Sequence, residues 1–450
     1  MKSIKLFLVF IKISSFFCDF VLPFKYKYPE KNNDEFLFNY FHNDLIVDTY
    51  VGSNSQFLPL QIKFRSYYTY VISKNYTNYS LIYSPNLSNS SKKISKESFL
   101  GEEEEFGYGS IYSDNFIINN EQILDFNFIC SEQMSMYKHL KSSGVLGFNL
   151  ALKNNYDVKN LIFQLKEKNL ISDYYFSLIY SDDNNGKITI GKQLNENKYK
   201  QIGQSANAFE DNNFEKGWNI KMVNITLDFE NEKKNIVSDK NTFFYPEFIG
   251  IIADSKYLDL IEKEFFSKYK TCEKKTFHLE GFAEPGEQNP DEEEEYSTYG
   301  DMNYFVCDKD EFDPKNFPKI SFYSSSLNFT FTFDYKDLFI KEENYYYHLI
   351  ISPVDDLYYY IIGKPIFKKY LLEFNYDRKI MNVYEETNNS KNNKFYILYI
   401  IFIIIIIVII GYIVYIKFIH RLFKKKQQAS ELIEDYDSSF LEKNYNKLGI

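Results

Sequence analysis

The sequence predicts an all-β ectodomain with short helices, followed by one C-terminal transmembrane helix. Between residues 19 and 387, short runs of alternating apolar and polar residues are separated by clusters of Asn, Asp, Ser and Gly, the pattern of β-sandwich or barrel-like lobes. Aromatic residues make up 19% of the chain, and rings pack well on the pleated faces of sheets. The run Phe395–Ile416 is apolar and uncharged, and its roughly 22 residues span about 30 Å of hydrocarbon.

The two ends of the chain predict a type I membrane protein. Residues 1–18 resemble a secretory signal peptide, because Lys2 and Lys5 precede an apolar run; the alternative is an N-terminal strand of the fold. Basic residues at 420–426 follow the C-terminal apolar run, which predicts that this side faces the cytosol. Residues 388–394 are then a stalk, 395–416 the membrane span and 417–450 a polar cytoplasmic tail. The predicted location is a secretory-pathway or cell-surface membrane, with the ectodomain lumenal or extracellular.

Charge and composition argue against several classes of protein. The net charge of -10 and the pI of about 5.3 argue against nucleic acid as a partner. The five histidines and four cysteines show no His-x-x-x-His or Cys-x-x-Cys spacing. The sequence also has no Gly-x-Ser-x-Gly motif and no glycine-rich phosphate loop. We therefore expect neither a metal nor a cofactor.

Three stretches of the ectodomain share their glycines and hydrophobic strands with one known family. They are Asp48–Val71, the segment that begins at Gly144-Val-Leu-Gly147, and Tyr358–Tyr384. The second of these continues into a predicted helix at Leu161–Leu170. In this order and spacing the stretches resemble the pepsin-like (A1) aspartic proteases. The resemblance implies two β lobes, at residues 19–206 and 207–387, with a cleft between them.

Active members of that family carry Asp-Thr-Gly or Asp-Ser-Gly in each lobe, and neither triplet occurs in this chain. An ungapped comparison places Lys63-Phe64-Arg65 at the first triplet, with Ser66 after it. The same comparison places Tyr245-Pro246-Glu247 at the second triplet, with Phe248 after it. An insertion would bring Asp239 to the second site instead, and Asp48 is an alternative acid for the first.

The family's chemistry requires two carboxylates that face one water and share one proton. A lysine and a tyrosine cannot form such a pair at acidic pH. The resemblance implies that Lys63 faces Tyr245 and that Arg65 faces Glu247. We predict an ion pair between Arg65 and Glu247 that joins the lobes; the alternative is two unconnected surface charges.

These residues predict a membrane-anchored, catalytically inactive homologue that binds a peptide or a protein partner in its cleft. Two other functions stay open: an active aspartic endopeptidase whose acids lie elsewhere, and a structural surface glycoprotein. In active relatives a hairpin flap covers the cleft. Here Gly109–Asp114 corresponds to its returning strand, and Glu102–Glu105 would form its tip.

The resemblance also implies a disulfide between Cys272 and Cys307 in the second lobe. Cys130 is interpreted as a buried thiol, with Cys18 as its alternative partner. An extracytoplasmic ectodomain is also expected to carry N-linked glycans. The sequence has glycosylation sequons at Asn75, Asn78, Asn86, Asn89, Asn224, Asn328 and Asn388.

Overall fold

The structure is a computed structural model. It describes residues 19–27, 44–73, 81–95, 98–102, 105–134, 142–149, 158–194, 198–208, 217–230, 232–280, 299–354 and 359–387, together with 402, 405–406, 408–409, 411–422 and 424. The predicted signal peptide, Cys18 and the sequons at Asn75, Asn78 and Asn388 lie outside these residues. Residues 1–386 form one compact unit and residues 387–450 a second.

The first unit consists mostly of β-strands, which confirms the all-β part of the predicted fold class. The first strands are β1 Phe20–Lys27, β2 Asp44–Val51, β3 Gln56–Lys63, β4 Tyr70–Ile72, β5 Lys92–Lys93, β6 Ser98–Glu102, β7 Glu105–Ile118, β8 Glu121–Met134, β9 Gly144–Gly147, β10 Tyr175–Tyr180, β11 Asn185–Ile190, β12 Tyr199–Gln201 and β13 Ala206–Asn207. They are followed by β14 Asn219–Asp228, β15 Lys233–Phe244, β16 Ile251–Ile252, β17 Cys272–Glu280, β18 Tyr299–Asp308, β19 Lys319–Ser324, β20 Phe329–Phe333, β21 Phe339–Glu342, β22 Tyr345–His348, β23 Ile350–Pro353 and β24 Tyr359–Ile362. The last two strands are β25 Leu371–Asn375 and β26 Ile380–Glu386.

In the described part of the first unit, four short α-helices interrupt the strands. They are α1 Leu161–Glu167, α2 Ser255–Glu264, α3 Tyr335–Leu338 and α4 Lys364–Lys369. The first helix begins where the sequence predicts, because the Asn160 side chain accepts a hydrogen bond from the Phe163 amide. It ends three residues earlier than predicted, and Asn169 beyond it has a positive φ.

Within the described residues the strands form two sheets of fifteen and eleven strands. The first sheet has the order β12-β26-β25-β10-β11-β1-β2-β3-β9-β4-β8-β7-β5, and the second has the order β20-β19-β14-β15-β24-β16-β23-β18-β22-β21. The β25–β26 hairpin comes from the part of the chain assigned to the second lobe. It nevertheless belongs to the first sheet, since β25 pairs with β10 and β26 pairs with β12 and β13. The C-terminal hairpin therefore links the two predicted lobes through backbone hydrogen bonds.

Aromatic side chains fill the centre of the first unit. Trp218 is 1% exposed, and its indole N–H donates to the carbonyl of Phe148 at 3.0 Å. The hydroxyl of Tyr376 donates to the same carbonyl at 2.5 Å. Rings of this size contribute a large buried apolar area, so residues from distant parts of the chain are held together here.

The second sheet contains the predicted disulfide between Cys272 and Cys307, which lie opposite each other in the β17–β18 ladder. Cys130 is a buried free thiol in β8, as interpreted from the sequence. Burial raises the pKa of this thiol to about 12. It is therefore held as the neutral thiol rather than as a reactive thiolate.

The hairpin that corresponds to the flap is formed by β6 and β7. Glu102 pairs with Glu105 at the end of the β6–β7 ladder, within the predicted tip. The returning strand β7 extends to Ile118, four residues beyond the predicted Asp114. From Phe116 onward the extension pairs with β8 and with the end of β2, after an irregularity in the β7–β8 ladder between Asp114 and Phe116.

In the second unit the described residues between 402 and 424 are helical. None of the helices in the described part of the chain has both the length and the apolar character needed to cross a membrane. Among the described sequons, Asn86, Asn89 and Asn328 are exposed and Asn224 is partly exposed.

Candidate functional site

Two loops occupy the same place in the two sheets. In the first sheet, β9 lies between β3, to which it is parallel, and β4, to which it is antiparallel. In the second sheet, β24 lies in the same way between β15 and β16. The chain must therefore pass over the end of an inserted strand in each case. The two loops that do so, 64–69 and 245–250, contain most of the residues singled out by the sequence.

The strand register defines which loop residues correspond. Lys63 lies opposite Gly147 at the end of the β3–β9 ladder. Tyr245 has the same relation to Gly363, one residue beyond the last pair of the β15–β24 ladder. The remaining residues of the two triplets then correspond in order. This matches the ungapped comparison of the sequence.

The two glycines give a second, independent reason for this correspondence. A Cβ added to Gly147 would lie 2.6 Å from the carbonyl oxygen of Ser66. A Cβ added to Gly363 would lie 1.9 Å from the carbonyl oxygen of Phe248. No side chain fits at either position, so each loop lies directly against its glycine. Ser66 and Phe248 are the residues that follow the two triplets.

Phe64 occupies the middle of the first triplet and is fully buried. Its ring contacts four other phenylalanine rings, at centroid distances of 5.6 to 6.0 Å; they belong to Phe148, Phe176, Phe367 and Phe374. The last two lie in α4 and β25, near the C-terminal end of the first unit. Phe64 is therefore a core residue that anchors the first loop.

Glu247 connects the two loops. Its Oε1 accepts a hydrogen bond from the Phe64 amide at 3.3 Å. Its Oε2 is buried and has no hydrogen-bond partner among the described residues. The residue as a whole is partly exposed, but the carboxyl group faces inward. This group is the single carboxyl in the two loops.

Burial raises the pKa of the Glu247 carboxyl to about 7. Hydrogen bonds from the backbone N–H groups of Glu247 and Phe64, and the charges of Arg65 and Lys63, act in the opposite direction. Loss of hydration outweighs them. The group therefore changes its charge near neutral pH, where an ordinary glutamate is fully ionised.

Arg65 reaches across to the second loop. Its guanidinium lies 5.2 Å from the centre of the Tyr245 ring, a cation–π contact. The positive charge of Arg65 also favours ionisation of Glu247. The two charges therefore attract each other, and the predicted ion pair between them stays a prediction. Lys63 is partly exposed beside them.

Other predicted residues have structural roles. The Ser66 hydroxyl is buried, donates to the carbonyl of Tyr68 at 3.2 Å and accepts from the Tyr68 amide at 3.3 Å, so it braces its own loop. Pro246 and Phe248 are buried. The carbonyl of Pro246 accepts a hydrogen bond from the Tyr180 hydroxyl at 3.0 Å.

Tyr180 and Lys364 were not predicted from the sequence to contribute to this site. The Lys364 ammonium lies 3.9 Å from the centre of the Tyr26 ring and 5.7 Å from that of Tyr180, and it donates to the Asp183 carbonyl at 2.6 Å. Burial lowers its pKa to about 8. The one signal in the sequence was that Lys364 stands where the family usually has an acid.

The two alternative acids lie away from the loops. Asp48 is an exposed residue of β2 and pairs with Lys25 at 3.4 Å. Asp239 is an exposed residue in the middle of β15 and pairs with Lys221 at 3.1 Å. Neither acid belongs to one of the two loops, and neither is placed to face the loop of the opposite sheet. Within the described residues, no group of three or more His, Cys, Asp or Glu side chains could hold a metal ion.

Comparison with known families agrees with this architecture. The family model for eukaryotic aspartyl proteases matches residues 45–383. A comparison with curated proteins gives no match. The family match spans most of the chain and includes both loops. The chain belongs to the eukaryotic aspartyl protease family.

Proposed function

We propose that this member of the family does not cleave peptides and instead binds a peptide or a protein partner between its two loops. The observation that carries the proposal is the identity of the corresponding residues Lys63 and Tyr245. At these positions the family's reaction needs two acids that share one proton. A lysine with an ordinary pKa is not a general base, and a neutral tyrosine is a poor acid at low pH.

The position of Glu247 supports the same conclusion. It lies two residues beyond Tyr245, and its Oε1 is engaged by the Phe64 amide. One carboxyl cannot form the dyad, and the corresponding residue in the other loop is Arg65. The exposed positions of Asp48 and Asp239 argue against a displaced pair.

A proteolysis assay tests this proposal. The full-length chain, purified in detergent, is incubated with denatured protein substrates between about pH 3 and 7, with and without a statine-type transition-state analogue. We expect no cleavage that the analogue inhibits. The matched controls are Asp48→Asn and Asp239→Asn. Analogue-sensitive cleavage that either substitution abolishes would establish the active endopeptidase instead.

We further propose that the protein is anchored in a secretory-pathway or cell-surface membrane by residues 395–416, with its C-terminus in the cytosol. The uncharged apolar sequence and the basic residues after it support this orientation. In the described part of this segment, Val408, Tyr412 and Val414 are each at least 60% exposed. The test is alkaline carbonate extraction of membranes from expressing cells. Release of the full chain, to the same extent as a variant lacking residues 395–416, would rule out the anchor.

A further inference from the structure

The helix of the second unit continues beyond the apolar run that ends at Ile416. Residues 411–422 are helical without a break, and residue 424 is helical too. From Lys417 to Leu422 alone, the continuation adds about 9 Å of helix. The headgroup region on one side of a bilayer is only about 5–8 Å deep. If residues 395–416 occupy the hydrocarbon core, this continuation therefore passes through the layer of lipid phosphates.

Three cations of the continuation share one face of the helix. Lys417, Arg421 and Lys424 are spaced four and then three positions apart. Since each residue turns the helix by about 100°, the three lie within an arc of about 60°. His420 lies at the edge of the same arc, and all four side chains are exposed. Within the described residues, the positive charge therefore forms a stripe along one side of the helix.

The opposite face of the continuation is apolar. Measured around the helix from Lys417, Phe418 and Leu422 lie at about 100° and 140°, and Ile419 lies at about 200°. Phe418 is 59% exposed and Leu422 is 48% exposed. A helix with these two faces is typical of a membrane interface, where apolar side chains enter the acyl boundary and long basic side chains reach the phosphates. A signal for orientation alone needs positive charge but no particular face, so the one-sided arrangement points to a ligand.

Building on the proposed membrane anchor, we propose that Lys417, Arg421 and Lys424 form a binding surface for anionic phospholipid headgroups in the leaflet from which the helix emerges. The negative headgroups are complementary to the basic stripe, and each cation near such a surface favours it about fivefold over a neutral one. The apolar face occupies the acyl boundary beneath the phosphates. In the proposed orientation this is the cytoplasmic leaflet, which carries the anionic lipids of cell membranes.

Electron paramagnetic resonance of the full-length chain, reconstituted in phosphatidylcholine vesicles, tests this inference. The probes are phosphatidylserine and phosphatidylcholine, each spin-labelled on one acyl chain, and the spectra give the fraction of each lipid that the protein immobilises. At low salt we expect phosphatidylserine to associate about threefold more strongly, because lipids along the apolar segment show no preference and dilute that of the stripe. About 1 M NaCl shortens the Debye length to about 3 Å and should remove most of the difference.

Paired substitutions locate the surface. Lys417→Gln combined with Arg421→Gln removes two cations from the stripe and should lower the preference to about 1.5-fold or less. The matched control is Lys443→Gln combined with Lys447→Gln, which removes two cations farther along the sequence. The control should keep the threefold preference of the wild-type chain.

An exchange of neighbouring residues separates the face of the helix from its total charge. Lys417→Phe with Phe418→Lys, combined with Arg421→Leu with Leu422→Arg, preserves the composition and the net charge. It moves two cations onto the apolar face and two apolar side chains into the stripe. We expect this variant to lose the preference for phosphatidylserine as fully as the variant with two glutamines.

The outcomes separate this inference from the proposed anchor. Equal immobilisation of the two lipids by the wild-type chain would overturn the lipid-binding surface and leave the anchor intact. A threefold preference that persists after the exchange of residues, or after loss of the two stripe cations, would do the same. If neither lipid is immobilised and the chain does not float with the vesicles after carbonate treatment, the anchor fails and the surface fails with it.

Discussion

Replacing Glu247 by glutamine should make the protein more stable at neutral pH. The substitution keeps the size of the side chain and an oxygen that can accept from the Phe64 amide, but it removes the ionisable group. Burial raises the pKa of this carboxyl from 4.5 to about 7. A raised carboxyl pKa means that the folded state binds the proton more tightly than the unfolded state. Its contribution to stability is therefore complete below pH 4.5 and is lost as the pH rises through 7.

The magnitude follows from the two pKa values. Their difference corresponds to at most about 3 kcal/mol of unfolding free energy at pH 8. We expect Glu247→Gln to exceed the wild-type chain by up to that amount at pH 8. At pH 4.5 the two proteins should agree to within about 0.5 kcal/mol, the size of a small change in one hydrogen bond.

His348 makes the effect of Glu247→Gln on the pH dependence of the unfolding free energy easier to recognise. It is fully buried, and burial lowers its pKa to about 3. A lowered histidine pKa removes stability as the pH falls through 6.5, since the unfolded state then binds the proton more tightly. Between pH 7 and 5 this loss amounts to about 2 kcal/mol, close to what Glu247 returns over the same range. The two contributions nearly cancel in the wild-type chain, so Glu247→Gln should lose stability on acidification more steeply.

Urea unfolding of the full-length chain in detergent, followed by tryptophan fluorescence between pH 4.5 and 8.5, measures both effects. Trp218 lies in the core next to the second loop, since its carbonyl accepts a hydrogen bond from the Phe244 amide. Its fluorescence therefore reports on the unfolding of this region. The matched control is Glu121→Gln, an exposed residue at the start of β8. It should follow the wild-type curve at every pH. A Glu247→Gln curve parallel to the wild-type curve across this range would refute the buried, titrating carboxyl.

Three further substitutions test the framework around the loops. Phe64→Ala should lower the unfolding free energy by about 3–5 kcal/mol because it empties a position enclosed by four rings; a loss below 1 kcal/mol in urea unfolding would contradict that packing. Cys272→Ser should cost about 3–4 kcal/mol, since the bridge to Cys307 closes a loop of 35 residues; an unchanged melting temperature would argue against the bond. Gly363→Ala should prevent soluble expression or lower the melting temperature by more than about 10 °C, because the added Cβ would overlap the carbonyl oxygen of Phe248. A normal melting temperature would show that the second loop does not lie against this glycine.

The position of the loops could be predicted from the sequence because backbone packing determines it. Gly147 and Gly363 are needed where a loop lies within contact distance of the next strand, and a missing side chain is visible in the sequence. The ungapped comparison with the family gives the residues of both triplets without any knowledge of side-chain positions. The strand bounds were less accurate, as at β7, because strand length depends on the partner strands.

The contacts made by the triplets could not be predicted in the same way. The bond from Phe64 to Glu247 joins residues 183 positions apart, and it depends on which way a long side chain turns. The aromatic surroundings of Lys364 are brought together from β1 and β10. Likewise, nothing local in β25 and β26 indicates that this hairpin joins the first sheet. Each of these features depends on the assembled fold.

Arg65 and Glu247, the large residues at the third position of each triplet, show how the two loops stay in contact without glycine at these positions. Neither Arg65 nor Glu247 has a positive φ, so neither position demands glycine for backbone conformation. In active members of the family, the glycine at this position must therefore allow the two loops to approach each other closely, which a side chain would prevent. In this chain the side chains themselves span the gap, as Arg65 packs over Tyr245 and Glu247 bonds to the Phe64 amide. These side-chain contacts therefore hold the two loops together in place of the close backbone approach that glycine permits.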